Sequence, residues 1–358
     1  MANVRSISIT GYKSIKDLRE FPLGDLNVLI GANGAGKSNF ISIFKLLNEM
    51  YEQNLQLYVQ KNGGPDAILH FGRNTTERLQ AEFYFGNNAY KFDLIPTADN
   101  RLIFEKEISW FAGFYYPSTK SALLGSGHSE SKLKEATDSY SQFVKKSVSN
   151  WRVYHFHDTS DTAKIKQKHS LNDNLIFKTD ASNLAAYLAM LRNKFESEYQ
   201  RIIETIRLVA PFFGDFVHRD DEIVEVEWTQ FGKPDTPFKA HVLSDGTLRF
   251  ICLTTLLLQP IDLLPDTILI DEPELGLHPY AIAILGDILK QVAEQKQIIV
   301  STQSVELVNE FSARDIVVVD QEESRSKFTR FTEVELKEWL LEFSMGEIWK
   351  RNILGGRP

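Results

Sequence analysis

The chain has 358 residues, and at roughly 150 residues per domain this length predicts about two domains. Hydrophobic residues make up 43% and charged residues 25% of the chain, which excludes a disordered or collagen-like protein. The formal net charge of −8 excludes a uniformly basic coat for nucleic acid but leaves a local basic patch open.

Neither the cysteine content nor the apolar runs suggest a secreted or membrane protein. The single cysteine, Cys252, excludes intramolecular disulfides, and its apolar neighbours predict a buried structural thiol rather than a nucleophile. The longest apolar stretch, 250–258, is far shorter than the ~18 residues that a membrane span needs. The N-terminus lacks the pattern of a secretory signal. We therefore expect a cytoplasmic protein without a membrane partner.

The first hundred residues predict a strand, a glycine-rich turn, a helix and then a β-rich region. Strands are expected over 4–10 and 26–30, the second apolar throughout as in a sheet covered on both faces. From Lys37 the apolar residues adopt helical spacing. Alternation over 79–95, with a turn at Asn87–Asn88, and again over 102–116 predicts antiparallel strands.

The middle of the chain is less regular. Residues 118–149 are poorly periodic and predict a surface loop or a loose helix. Apolar residues spaced by three or four from Asp180-Ala-Ser182 to Pro211 predict one long helix, which either packs on the protein or protrudes as a short arm. Residues 222–228 alternate like a half-exposed strand.

Local charge departs from the average in one segment. Residues 131–170 carry eight basic and four acidic side chains within an acidic chain. This pattern is typical of a solvated face, but it also fits a contact with nucleic acid or a protein partner, since such a patch neutralises phosphates.

Strands and helices alternate near the end of the chain, which predicts a parallel α/β sheet. A helix is expected from Gly246 to about Leu258 and another over 280–295. The predicted strands lie at 268–270, 297–301 and 316–319.

The glycine-rich turn after the second strand matches the complete phosphate-binding pattern GxxxxGK[ST]. Backbone N–H groups of such a turn surround phosphates, and the following helix favours their charge. Lys37 is expected to bridge the β- and γ-phosphates, and Ser38 to hold Mg²⁺. The predicted nucleotide-binding residues are Gly31, Asn33, Gly34, Ala35, Gly36, Lys37, Ser38 and Asn39.

A second chemical signal is the apolar strand ILI followed by two carboxylates and proline. Asp271 at the strand end predicts a second Mg²⁺ contact, and Glu272 can orient and deprotonate an attacking water. The alternative is that Asp271 and Glu272 have a purely structural role and cap a helix. An acid directly after Asp271 favours hydrolysis over phosphoryl transfer.

A third signal is LSDGT at 243–247, which opens a helix. Ser244 as N-cap and Gly246 in the first turn predict another anion-receiving helix N-terminus, with a simple helix cap as the alternative. Because the glycine-rich turn is already expected to bind the triphosphate, this second anion-binding site must have a different role.

The order of phosphate loop, LSDGT, ILIDEPELGLHP and IIVSTQS, with YKSI at 12–15, resembles the ABC-type ATPase heads of the RecF, SMC and OLD group. The similarity covers about 1–50 and 240–320. The closing stretch, 343–349 with Gly355-Gly-Arg-Pro358, resembles a subgroup of stand-alone bacterial ATPases. The resemblance implies an α/β P-loop NTPase fold, an ABC-type head with an antiparallel β lobe and an inserted helical region.

The resemblance also implies that two subunits sandwich two ATP molecules with Mg²⁺. Ser244 and Gly246 of one chain would then contact the γ-phosphate held by Lys37 of the other. ATP binding would drive formation of a homodimer, or of a higher oligomer, and hydrolysis would release it.

This chain departs from the family pattern at several positions. Gln303 stands where many ABC ATPases have a switch histidine; we expect it to contact phosphate or water without carrying a positive charge, so turnover would be slow. His278 replaces the usual aspartate after the acidic strand. His70 and Gln80 both remain candidates for the Q-loop residue. His155 and His157 fit a polar network or a metal site.

These expectations favour a magnesium-dependent ATPase that acts as a dimerising switch. OLD-type relatives carry a fused nuclease of about 100 residues, but few residues follow the last predicted strand, so we expect a separate effector, a nuclease or toxin, in a bacterial defence module. The alternatives are a RecF-like DNA-repair head that binds DNA, with 131–170 as the candidate contact, and a scaffold that binds nucleotide without hydrolysis. A transporter subunit is disfavoured because LSDGT replaces LSGGQ.

The motifs must meet at one nucleotide, so we expect one bilobed head over residues 1–358 rather than two independent domains. In this scheme an N-terminal lobe with the phosphate loop occupies 1–117. An inserted β/helical region occupies 118–240, a C-terminal lobe 241–320, and C-terminal helices 321–358.

Overall fold

The computed structural model describes residues 3–112, 120–219 and 221–357. These residues form two compact units. The terminal unit comprises Met1–Trp151 with Ser312–Pro358, and the central unit comprises Arg152–Phe311. Over the described ranges, no helix has both the length and the apolar character needed to cross a bilayer.

The elements follow the chain in this order. The strands of the described ranges are β1 (Ser6–Tyr12), β2 (Ile15–Pro22), β3 (Leu26–Ile30), β4 (Leu79–Phe85), β5 (Asn88–Pro96), β6 (Leu102–Phe111), β7 (Lys120–Gly125), β8 (Trp151–Tyr154), β9 (His169–Ser170), β10 (Phe213–Phe216), β11 (Ile223–Val224), β12 (Glu227–Gln230), β13 (Lys233–Lys239), β14 (Thr267–Asp271), β15 (Gln297–Thr302), β16 (Ile316–Glu322) and β17 (Arg325–Thr329). The α-helices are α1 (Lys37–Tyr51), α2 (Leu55–Lys61), α3 (Pro65–Ile68), α4 (Ser139–Val148), α5 (Leu184–Lys194), α6 (Glu196–Val209), α7 (Asp245–Leu258), α8 (Pro279–Ala293), α9 (Val305–Val308), α10 (Lys337–Leu340) and α11 (Met345–Lys350).

The terminal unit contains an antiparallel sheet with the strand order β2-β1-β4-β5-β6-β7. The hairpin predicted around Asn87–Asn88 is present, but its turn lies one residue earlier, at Gly86–Asn87, because Asn88 already pairs with Phe85 as the first residue of β5. The ring of Phe44 on α1 packs against Phe83 and Trp151 at centroid distances of 5.7 and 5.2 Å. Burial of these aromatic rings, each contributing about 2–3 kcal/mol, anchors α1 within the unit.

The strand before the phosphate loop belongs to a second layer of the terminal unit. β3 is buried along its whole length and pairs in parallel with β16, with Val28 opposite Ile316. β17 then folds back antiparallel on β16. The strands predicted at 26–30 and 316–319 are confirmed. β2 and β17 were not anticipated, since both are rich in charged residues and are defined by their pairing rather than by alternation.

The central unit carries the second parallel pair. β14 and β15 run in parallel with Ile268 opposite Ile298, and both strands are almost wholly buried. Helix α7 packs against α6 and α8. The predicted alternation of strands and helices in this part of the chain is confirmed.

The predicted long helix at 182–210 is wrong. Two helices, α5 and α6, meet at Phe195, whose backbone leaves the helical region with φ −140° and ψ 57°. The apolar spacing runs on through Leu191, Phe195 and Tyr199, so the periodicity alone could not reveal the break. Because α5 and α6 pack against each other, they do not form a protruding arm.

Other boundaries also differ from expectation. Within the segment predicted as a loop or loose helix, residues 120–149 contain more regular structure than expected, because α4 buries Val144 and Val148 and β7 extends the antiparallel sheet. β6 ends at Phe111, and residues 113–116 of the predicted strand lie outside the described residues. The predicted strand at 222–228 is split into β11 and β12. The segment after 320, predicted as helical, opens with β17 before α10 and α11.

Candidate functional site

The phosphate loop of the terminal unit joins β3 to α1, as predicted. Gly31, Gly34 and Gly36 all adopt positive φ, at 154°, 80° and 117°. A Cβ at Gly31 would collide with the carbonyl oxygen of Val319, and one at Gly36 would collide with the hydroxyl of Ser326. Glycine is therefore required here by close approach as well as by backbone conformation.

The lysine of this loop is held over the loop's own backbone. Lys37 is 5% exposed, and its Nζ donates to the carbonyl oxygens of Gly31 at 2.5 Å and Ala32 at 3.1 Å. No side chain caps the N-terminus of α1, where Gly36 is the N-cap, and Ser38 is exposed beside it. An ammonium group, uncapped helical N–H groups and an exposed hydroxyl are the groups that bind a polyphosphate and its cation.

A hydroxyl network supports the loop from behind. The Ser326 hydroxyl of β17 lies 2.6 Å from the carbonyl oxygen of Ala35 and 2.7 Å from Oγ of Ser14. Asn39 donates its side-chain N–H to the same Ser14 oxygen at 2.8 Å. Ser14 belongs to the YKSI element noted in the sequence. The sequence did not predict a role for Ser326, because that role depends on a hydrogen bond to Ser14, 312 residues earlier in the chain.

The acidic strand of the central unit ends as predicted at Asp271 and Glu272. The Ser301 hydroxyl donates to the Asp271 carboxylate, and Nε2 of His157 lies 2.8 Å from the Asp271 carbonyl oxygen. Glu272 has φ +44°, a left-handed conformation that is rare outside glycine, and its N–H donates to the Ser301 carbonyl at 2.9 Å. The geometry directs two successive carboxylates away from the end of β14.

Gln303, which the sequence predicted to contact phosphate or water, lies next to Glu272. Its side-chain N–H donates to Oε1 of Glu272. The backbone N–H of Gln303 donates to Glu274 at 3.0 Å, and the Thr302 hydroxyl donates to the same Glu274 oxygen at 2.6 Å. Burial raises the pKa of the Glu274 carboxyl. Glu274 was not predicted, although the second acid of DEPE was visible in the sequence.

The LSDGT segment forms the N-terminus of α7. The Ser244 hydroxyl accepts from the Thr247 N–H at 3.2 Å, so Ser244 is the N-cap, and it is exposed. A Cβ at Gly246 would collide with the carbonyl oxygen of Gly276, in the loop that follows the acidic strand. Gly246 is thus needed where α7 approaches that loop.

Arg249 ties this helix to the surroundings of the acidic strand, a role that sequence reasoning missed. Its guanidinium donates to the carbonyl oxygens of Phe156, His157 and Leu275 at 3.2, 2.9 and 2.9 Å. His157 in turn contacts the backbone of Asp271. One side chain therefore connects α7, the 156–159 segment and the loop after β14.

The other candidates are placed as follows. His70 is buried, and its Nδ1 lies 2.6 Å from the Lys13 carbonyl oxygen. It also lines a cavity of about 650 Å³. Gln80 lies on β4, and both residues stay candidates for the Q-loop residue. His155 and His157 follow β8 rather than lying in it, and within the described ranges no three His, Cys, Asp or Glu residues are grouped as a metal site. Cys252 is buried, and burial raises the pKa of its thiol, which fits the structural role predicted for it.

Four of the eight basic side chains in segment 131–170 lie within 4 Å of an acidic side chain. Lys134 pairs with Glu52 at 2.5 Å, and Lys164 pairs with Asp180 at 3.1 Å. Lys166 and Lys168 lie 3.9 Å from Asp161 and Glu225. These pairs lower the charge that a phosphate backbone would encounter.

The fold and the phosphate loop define a P-loop NTPase. A protein-family model described as "AAA domain, putative AbiEii toxin, Type IV TA system" matches residues 26–309. The chain belongs to this family, and it is an ABC-type ATPase of the RecF/SMC group.

Individual relatives agree with this placement. A "Putative ABC transporter ATP-binding protein" of Methanosarcina acetivorans is 37% identical over 79 residues, 22% of this chain and 27% of the relative. The chain thus spans about a quarter of that protein's length.

Two solved structures share the fold at low identity. An Smc head bound to the C-winged helix domain of ScpA gives a TM-score of 0.59 at 15% identity, covering 92% of this chain and 98% of that one. An Smc head with an extended coiled coil, bound to the C-terminal domain of ScpA derived from Pyrococcus furiosus, gives 0.59 at 14% identity, covering 96% and 99%.

Proposed function

We propose that this protein is an ATP-hydrolysing switch that dimerises on ATP and gates a separate effector. The observation that carries the hydrolytic part is the pair of Glu272 and Gln303. Glu272 follows the metal-binding candidate Asp271 directly, in a left-handed backbone conformation, and Gln303 donates to its carboxylate. A strained, hydrogen-bonded carboxylate at a strand end is typical of a functional position.

The binding part of the proposal assigns the triphosphate to the phosphate loop. Lys37 exchanges its contacts with the Gly31 and Ala32 carbonyls for β- and γ-phosphate oxygens, and the uncapped N–H groups of α1 bind the remaining charge. The hydroxyl of Ser38 and the carboxylate of Asp271 are hard oxygen ligands that suit Mg²⁺. When bound, Mg²⁺ neutralises charge that develops on the phosphates.

The reaction then needs an oriented water. Glu272 accepts a proton from the water as its oxygen bonds to the γ-phosphorus, and the bond from that phosphorus to the bridging oxygen breaks to give ADP and phosphate. Gln303 holds Glu272 in place and can donate to the water or to phosphate. Because Gln303 carries no positive charge, we expect slow turnover, as befits a switch.

The dimerising part of the proposal rests on the exposed N-terminus of α7. Ser244 and the Gly246 N–H form an anion-receiving end that faces solvent in the single chain. In the proposed dimer this end contacts the γ-phosphate bound by a second copy. ATP then contributes contacts to both chains and shifts the equilibrium toward the dimer.

The effector is proposed to be a separate nuclease or toxin, in a bacterial defence module. The description of the matching family names a toxin–antitoxin system, which supports a setting in a defence module. The separate effector remains part of the proposal. The RecF-like alternative lacks comparable support, because acids pair with lysines of the segment that it would use.

The test combines nucleotide binding with phosphate release. We expect wild-type protein to bind ATP with Mg²⁺ and to release phosphate slowly, Lys37→Ala to lose binding, and Glu272→Gln to bind normally while hydrolysis falls at least 100-fold. Asp287→Asn, on the exposed face of α8, is a matched control that should behave as wild type. Phosphate release by Glu272→Gln equal to that of the wild-type protein would overturn the catalytic assignment of Glu272. ATP binding without any phosphate release by the wild-type protein would leave the nucleotide-gated scaffold.

A further inference from the structure

Gly356 of the closing segment packs against the first residue of the phosphate loop. An added Cβ at Gly356 would come within 3.5 Å of Cα of Gly31, the first residue of that loop. It would also lie 3.0 Å from the carbonyl oxygen of Val319 and 2.8 Å from Cγ1 of Val318. A side chain at position 356 would require Val318 or the backbone around Gly356 to shift, and Gly31 lies in van der Waals contact beside that position.

The same segment is fixed on its far side by a buried tryptophan. Trp349 of α11 is fully buried, and its indole N–H donates to the Gly356 carbonyl at 2.5 Å. The Gly356 N–H donates to the Asp320 carboxylate at 3.2 Å. Both backbone polar groups of Gly356 are therefore held, while its Cα face is left against Gly31.

Gly31 is a sensitive place for such a contact. Its carbonyl oxygen accepts from Nζ of Lys37, and its backbone has φ +154° at the turn that leads out of β3. Displacement of Gly31 would shift the start of the phosphate loop, whose backbone N–H groups are proposed to bind the phosphates. A loop that must be ordered on binding loses affinity, because the ordering costs free energy.

We propose that Gly356, held by Trp349, is a positioning residue for the nucleotide site: the closing segment forms a back wall that keeps Gly31 and the phosphate loop in the binding conformation. This inference rests on the proposed ATP binding at Lys37. It concerns affinity rather than chemistry, since Glu272 and Gln303 take no part in it.

The test measures ATP affinity in two variants with matched controls. Gly356→Ala adds the colliding Cβ, and Gly86→Ala is its control, because Gly86 has a similar φ of +71° with no atom within 4 Å of an added Cβ. Trp349→Phe removes the indole donor, and Trp110→Phe is its control, because Trp110 donates instead to Glu82.

We expect Kd and KM for ATP to rise about 10-fold in Gly356→Ala and about 3-fold in Trp349→Phe relative to their controls, with kcat within 2-fold. Both variants should unfold at lower temperatures than their controls, so affinities are compared at a temperature at which all four variants are folded. If Gly356→Ala does not fold, the Kd of Trp349→Phe for ATP tests the inference by itself. If the folded variants bind ATP as tightly as their controls, the positioning role of Gly356 is overturned, while the proposed ATP binding at Lys37 stands. If wild-type protein binds ATP no better than Lys37→Ala does, both the positioning role and the proposed ATP binding are overturned.

Discussion

At the residue scale, the proposed chemistry depends on a few side chains whose orientation is set by backbone contacts. Glu272 is held by the Gln303 side chain, and Gln303 is held through its own N–H by Glu274. Glu274 is nearly buried and accepts hydrogen bonds from Thr302 and Gln303, so its proposed role is to position Gln303. The arrangement separates a carboxylate that can accept a proton from one that positions its neighbour.

Substitution of Gln303 tests this division. We expect Gln303→Ala to lower kcat for phosphate release by 10- to 100-fold, because Glu272 loses the donor that orients it, while Kd for ATP stays within 2-fold. Steady-state phosphate release and equilibrium binding give the two quantities. Gln295→Ala, at an exposed site after α8, is the control. Equal kcat in the two variants would remove Gln303 from the mechanism.

His218 of the central unit predicts a specific pH dependence of stability. Burial lowers its pKa to about 4, with Arg192 adding to the shift and Asp215 and Glu196 opposing it. The unfolded chain, with an ordinary pKa near 6.5, therefore binds more protons between these values. Neutral His218 therefore makes its full contribution to the free energy of unfolding above pH 6.5, and this contribution is lost as the pH falls toward 4.

The measurement is the free energy of unfolding by urea from pH 7 to 4. We expect wild-type protein to lose about 2 kcal/mol more than His218→Gln over this range, a figure reduced for the partial exposure of the ring. Parallel pH profiles of the two proteins would contradict the buried neutral state.

At the element scale, contacts between segments far apart in sequence set the functional positions. Arg249 joins α7 to the carbonyls of the 156–159 segment and of the loop after β14. In the terminal unit, Ser326 of β17 contacts the phosphate loop. Each proposed ligand-binding element is thus held by a partner that its own local sequence does not specify.

Loss of Arg249 should weaken this connection. We expect Arg249→Ala to lower the free energy of unfolding by about 2–3 kcal/mol, because backbone carbonyls around a half-buried site lose a charged donor. Arg249→Lys should recover only part of the lost free energy of unfolding. An ammonium group lacks the forked donors of a guanidinium and cannot reach all three carbonyl oxygens. Denaturant unfolding measures both, with exposed Arg314→Ala as control. A change below 0.5 kcal/mol in Arg249→Ala would show that these contacts are dispensable.

The sequence predicted the elements whose signals are local. The strand at 26–30, the helix from Lys37 and the β14–β15 pair were found because apolar runs and periodicity mark them directly. The break at Phe195 was missed because apolar spacing continues across it. Ser326 and Gly356 were missed because their importance lies in pairing and close approach across about 300 residues, which no periodicity records.

At the scale of the whole molecule, the proposal requires that residues of both units serve one nucleotide and that a second copy completes the site. The phosphate loop and its back wall belong to the terminal unit, whereas Asp271, Glu272 and Ser244 belong to the central unit. Membership of the AAA-domain family and the Smc-like fold agree with an ATP-dependent head. The joint use of one ATP by two chains is the central claim.

Light scattering after size exclusion tests that claim most directly. Glu272→Gln, which should retain ATP, is measured with and without ATP and Mg²⁺, and Lys37→Ala/Glu272→Gln is the control that cannot bind. We predict that the molar mass of Glu272→Gln doubles only with ATP, while the double variant stays monomeric. A mass unchanged by ATP, whether that of a monomer or of a dimer already formed without nucleotide, would contradict the account.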